Sequence, residues 1–159
     1  MTAELRTFVD IDATPERVWE VLTDVPAWPE WNLFIASAEG TFVVGRRLSL
    51  SISPLNALLR VTLRLTVLEV TPCRRLRFRM RLARLGLPGL FDADHTLTIA
   101  AHDGGVRLWE EARFRGLLVP LLTRSLNREN LPAFNATNTA LKNRIEGNGR
   151  PARSHLECP

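Results

Sequence analysis

The chain has 159 residues, 45% hydrophobic and 24% charged, and carries a net charge of +4. That length suits one domain with room for a substantial core. With no run of about eighteen apolar residues and no charged-then-apolar leader, the expectation is a soluble, cytoplasmic domain without stable membrane insertion.

Leu5, Thr7, Val9 and Ile11 alternate with Arg6, Phe8, Asp10 and Asp12, the period-two pattern of a first strand with one inward face. Thr14 then caps a short helix: Pro15 suits its first position, and Val18, Trp19, Val21 and Leu22 supply its apolar side. Pro26 and Pro29 end that helix and permit one further turn around Trp28 and Trp31. Six more strands are expected at about 33–39, 47–53, 60–70, 74–84, 90–101 and 105–115, with glycine, proline and asparagine between them and a tight hairpin at Asp103-Gly104-Gly105. A meander of this length has to curl or be covered on one face.

The cover is the segment from about Leu117 to Ile145, where Leu117, Leu118, Leu121 and Leu122, then Phe134, Leu141 and Ile145, recur at helical spacing. Pro132 does not fit a helix interior, so a kink or a break and restart is expected near Asn130. Gly147 and Gly149 end the helix, leaving residues 1–146 as the single domain and 147–159 as a disordered tail. Cys73, in a turn, and Cys158, in the tail, lack metal spacing and read as free thiols.

The order of strand, two short helices, six strands and a long terminal helix resembles the helix-grip fold of the START-like superfamily. Within it the chain is similar to the SRPBCC group of polyketide cyclase/dehydrase and lipid-transport proteins. The resemblance is carried by Pro15-Glu16-Arg17-Val18-Trp19, by Trp28-Pro29-Glu30-Trp31-Asn32, and by Leu87-Pro88-Gly89-Leu90-Phe91 with His95. It continues through Glu111 to Gly116-Leu117-Leu118-Val119-Pro120-Leu121-Leu122. It implies an α+β helix-grip fold in which a curved seven-stranded antiparallel sheet wraps a long C-terminal helix, with two short helices between strands one and two. It also implies an internal cavity, but no shared catalytic residue set.

Motifs that would fix a chemistry are absent: there is no glycine-rich phosphate loop, no His-Glu-x-x-His, no cysteine cluster and no nucleophile-elbow serine. With three histidines, one in the tail, no metal site is expected, and no cofactor. Alternation does isolate one constellation. Phe91, Ala93, His95, Leu97 and Ile99 share one face of the sixth strand, and Val106, Leu108, Glu110, Ala112 and Phe114 share one face of the seventh. A hairpin at Asp103-Gly104 makes facing residue numbers sum to about 205–207, so Glu110 lies opposite or diagonal to His95. A buried carboxylate needs a partner, water or a functional reason. The pair therefore either braces the hairpin, anchors a ligand or moves protons, while Glu111 faces outward with Trp109.

The expected cavity wall comprises Trp31, Phe78, Met80, His95, Leu97, Glu110, Phe134, Asn138 and Leu141. Arg75, Arg77, Arg79 and Arg81 form the opposite, outer stripe of the fifth strand. The 20 Arg against one Lys fit a GC-rich genome better than an anionic partner, so no nucleic acid is expected and the stripe reads as a solvated face. The leading function is binding of a small hydrophobic molecule (a lipid, isoprenoid, quinone or polyketide) by a monomer or homodimer. The alternatives are a polyketide cyclase/dehydrase-type enzyme using His95 and Glu110 as acid/base groups, and an interaction protein using the arginine-rich face.

Overall fold

The computed structural model describes residues 2–52, 61–82, 92–117, 119 and 131–147. Strand β1 (Thr2–Ile11) is followed by helix α1 (Pro15–Thr23), a 3-10 turn (Val25–Ala27) and the single-turn helix α2 (Trp28–Trp31). The strands β2 (Ile35–Glu39), β3 (Arg47–Ile52), β4 (Val61–Thr71), β5 (Arg75–Leu82), β6 (Asp92–His102) and β7 (Gly105–Arg115) come next, and the C-terminal helix α3 (Leu131–Gly147) last. The strands form one curved antiparallel sheet, ordered β1-β7-β6-β5-β4-β3-β2, with α3 packed against β1.

Local chemistry explains the punctuation. The Thr14 hydroxyl accepts from the Arg17 amide at 3.3 Å with Pro15 in the first turn, as the sequence predicts, and Val18, Trp19, Val21 and Leu22 are all buried. The second strand starts at Ile35 rather than Leu33, because the Asn32 side chain accepts from the Phe34 amide at 3.0 Å and holds Leu33 and Phe34 in a turn. In the β6–β7 hairpin, Asp103 (φ 44°) and Gly104 (φ 84°) both take positive φ, the backbone of a two-residue type I′ connection. A bulge between Val67 and Glu69 lets both Val67 and Val70 meet the inner-face residues Phe78 and Leu76 of β5, while Glu69 stays outside opposite Arg77.

Two expectations are corrected. Leu117 does not join a helical apolar face: beyond Gly116 (φ 131°) it is 81% exposed, and the buried side chain there is Val119. Cys73 is disulfide-bonded rather than free; Cys158 lies outside the described residues. So do Leu118, Leu121, Leu122, Asn130 and the tail. Within α3, Pro132 occupies the first turn, where its missing N–H costs nothing.

The buried core falls into three clusters. One gathers α1, α3 and the hairpin end of the sheet around Ile11, Trp19, Leu76, Leu108, Leu141 and Ile145. A second joins Trp28 to Leu48, Leu65, Val67 and Phe78. The third is small, comprising Ala93, Ala112, Phe114 and Val119.

Candidate functional site

Between these clusters the inward-facing apolar residues are not fully covered. Leu5, Val9, Val70, Met80, Leu97 and Phe134 all retain partial exposure although each packs against a core cluster. Leu97, from a central strand, touches both larger clusters without being sealed by either. A close-packed interior leaves few such surfaces.

The polar residues of the interior come from four elements. Facing numbers in β6 and β7 sum to 207, so His95 faces Ala112 and Leu97 faces Glu110, which puts His95 and Glu110 on the diagonal. His95 Nδ1 and Glu110 Oε1 are 4.0 Å apart, too far for a hydrogen bond. On the other side Glu110 faces Thr7 of β1, whose hydroxyl accepts from Asn138 Nδ2 of α3 at 3.1 Å. The His95 ring lies between Phe78 (centroids 5.3 Å, 5° between planes) and Phe134 (5.8 Å, 11°), with Phe114 edge-on at 6.4 Å.

Burial governs both titrations. With no described cation beside it, desolvation pushes the Glu110 carboxyl up to about 8. Desolvation likewise pulls the His95 imidazole down to about 4, against a smaller upward pull from Asp94. At neutral pH a carboxylic acid therefore stands beside a neutral imidazole, not an ion pair. Glu110 makes no hydrogen bond to another described residue. Its side chain keeps 15% exposure and that of His95 9%. Trp31 Nε1 is buried and has no acceptor among the described residues.

Of the residues singled out in the sequence, Phe78, His95, Glu110, Phe134 and Asn138 gather around this diagonal, with Met80 beside Ala93 on the neighbouring strand. Leu97 borders Glu110 directly. Trp31 bridges the two larger clusters, and Leu141 is sealed beneath α1. Thr7 was overlooked; its signal was a hydroxyl at an inward position of an otherwise apolar face. Among the described residues no group of His, Cys, Asp and Glu is arranged to hold a metal ion.

The outer face is a cross-strand charge ladder. Arg79 grips Asp94 with two bonds of 2.6 and 3.0 Å, which holds that carboxyl below its usual range, and Asp94 in turn faces Arg113. Arg81 meets Asp92 at 2.9 Å, Arg77 meets Glu69 at 3.4 Å and Arg6 meets the outward Glu111 at 3.1 Å. Arg6 also lies over Trp109, 4.3 Å from its centroid, and Trp109 packs on Phe8. A recess of about 290 Å³ over the short Thr96 is lined by Arg75, Arg77, Arg113 and Arg115, but also by Asp94 and Glu111. Three of the four stripe arginines thus spend their charge within the sheet.

A curved antiparallel sheet closed over a C-terminal helix, with short helices after its first strand, defines an α+β protein of helix-grip type. The chain belongs to the polyketide cyclase/dehydrase and lipid transport family, whose model matches residues 2–146. Among solved structures it is similar to protein CV1439 of Chromobacterium violaceum, with a TM-score of 0.70 at 22% identity over 90% of this chain and 96% of that one. It is also similar to StfQ, a di-domain ARO/CYC protein of the steffimycin biosynthetic pathway, with a TM-score of 0.75 at 12% identity over 92% of this chain and 52% of that one. Protein MLL2253 of Mesorhizobium loti gives a TM-score of 0.70 at 22% identity, covering 94% of this chain and all (100%) of that one. No curated protein matches the chain by sequence. No helix of the described residues is long and apolar enough to cross a membrane.

Proposed function

We propose that the protein binds a small apolar molecule between the inner face of the sheet and α3. The observation that carries this reading is the set of inward-facing apolar side chains left partly uncovered between three core clusters, with Leu97, Met80 and Phe134 at its centre. Family membership supports it, and an apolar wall with a few convergent polar groups is the usual make-up of such a site. The test is titration with Nile red, an uncharged dye that brightens in apolar surroundings. Met80→Trp, which fills the space, should weaken binding at least about fivefold while the fold is retained, an expectation scaled to about one kcal/mol of lost contact. Equal binding by the variant and the parent would reject the assignment.

A second reading is catalysis of the cyclase/dehydrase kind. It is favoured by the pairing of an undissociated acid, Glu110, with a neutral base, His95, the protonation states that proton transfer to and from a substrate requires.

A further inference from the structure

Resting on that reading of the interior, we propose that the bound molecule is uncharged and presents a hydrogen-bond-accepting oxygen, of the ketone, enone or quinone kind, to the Glu110 side chain, while a carboxylate-bearing lipid of similar size is disfavoured. Charge is the first ground. Every described arginine and lysine lies on the outer sheet face, in a loop or on the solvent side of a helix, where Arg17 meets Glu20, Arg144 meets Glu30 and Lys142 meets Glu146. No described cation is therefore available to an anionic head group inside, and the one ionisable oxygen group present, Glu110, would oppose it.

The second ground is the inventory of unused hydrogen-bonding atoms. Asn138 already gives an amide hydrogen to Thr7. Two interior donors have no acceptor among the described residues: the buried Trp31 indole N–H and the Glu110 hydroxyl of the undissociated acid. Buried donors are ordinarily paired. The nearest nitrogen of His95 lies 4.0 Å from Glu110, too far to accept its proton, so a ligand oxygen is placed to do so. Glu110 is the better placed of the two donors, since its side chain keeps 15% exposure at 4.0 Å from His95, whereas the indole nitrogen is sealed. A site built around an unpaired polar group also rejects a ligand that leaves it unpaired, so a plain hydrocarbon should bind less well than its ketone.

The test uses the whole chain and four probes of one shape: ethylnaphthalene, acetylnaphthalene, naphthoate and naphthylethylamine. Each is titrated at neutral pH while the Trp31 indole N–H and the His95 ring are followed by NMR. Acetylnaphthalene is expected to bind roughly fivefold or more tightly than ethylnaphthalene, the value of about one hydrogen bond, and more tightly than naphthoate or the amine. Glu110→Leu should bring ketone and hydrocarbon to within about twofold, and Glu110→Gln, whose amide still donates, should keep the preference. Naphthoate or the amine binding as tightly as the ketone overturns the proposal, as does an undiminished ketone preference in Glu110→Leu. If that variant does not fold, the four-probe comparison in the parent decides alone. Ethylnaphthalene binding without any ketone advantage rejects this proposal and leaves the apolar site standing; failure of all four probes to bind or to move either resonance rejects both.

Discussion

Replacing Glu110 by glutamine should change how stability depends on pH in a way no outer-face substitution can reproduce. Burial raises the Glu110 carboxyl from 4.5 to about 8, so between those values the folded chain holds a proton that the unfolded chain has released, and stability falls as pH rises. The full gap is worth on the order of 4–5 kcal/mol. His95 acts in the opposite sense. Lowered from 6.5 to about 4, it stays neutral in the fold while the unfolded chain takes up a proton, so stability falls as pH drops below about 6.5. The two effects largely offset each other between about pH 4.5 and 6.5, and Glu110 alone acts above that range. The lowered carboxyls of Asp94 and Glu146 contribute only on the acid side, where protonation removes their bonds to Arg79 and Lys142. Urea denaturation across pH should therefore show a plateau followed by a loss of roughly 1.5–2 kcal/mol from about pH 6.5 to 8, and Glu110→Gln should abolish that loss. A flat parent profile over that interval, or an unchanged slope in Glu110→Gln, would refute the account of the buried acid.

Other expectations are more local. Gly105→Ala should cost about 1–3 kcal/mol in thermal or chemical unfolding, because a Cβ there overlaps the Ile11 carbonyl oxygen of the neighbouring strand. Asn138→Leu strands the Thr7 hydroxyl and should cost about 1–2 kcal/mol, much of it recovered in the double variant with Thr7→Val; simple addition of the two single costs would show that the bond is not made. Leu65→Ala, at a fully buried position, should cost about 2–5 kcal/mol without altering the preference among probes.

The fold was legible because its signals are local and redundant. Alternation set the inner and outer faces of β5, β6 and β7, Pro15 after Thr14 marked α1, and Asp103-Gly104 fixed the hairpin register that makes His95 and Glu110 diagonal. The Leu33–Phe34 turn was not, since it depends on an Asn32 side-chain bond that competes with an apolar, strand-like sequence. The site was legible only in part. Position in the pleat places His95 and Glu110 inside, but their charge states depend on what surrounds them in three dimensions: phenyl rings from β5, β7 and α3 on the imidazole, and no described cation near the carboxyl. Thr7 was passed over because a threonine is ordinary in a strand and its partner, Asn138, lies far along the chain.

The central claim is that the interior is hollow where Leu97, Met80 and Phe134 remain partly uncovered. Xenon enters dry apolar cavities and is visible by its scattering, so a xenon-pressurised crystal tests the claim most directly. The account predicts a xenon atom in contact with Leu97, Met80 and Phe134, close to the His95 ring. A crystal that takes up xenon elsewhere or not at all, with those three side chains packed against one another, would contradict it.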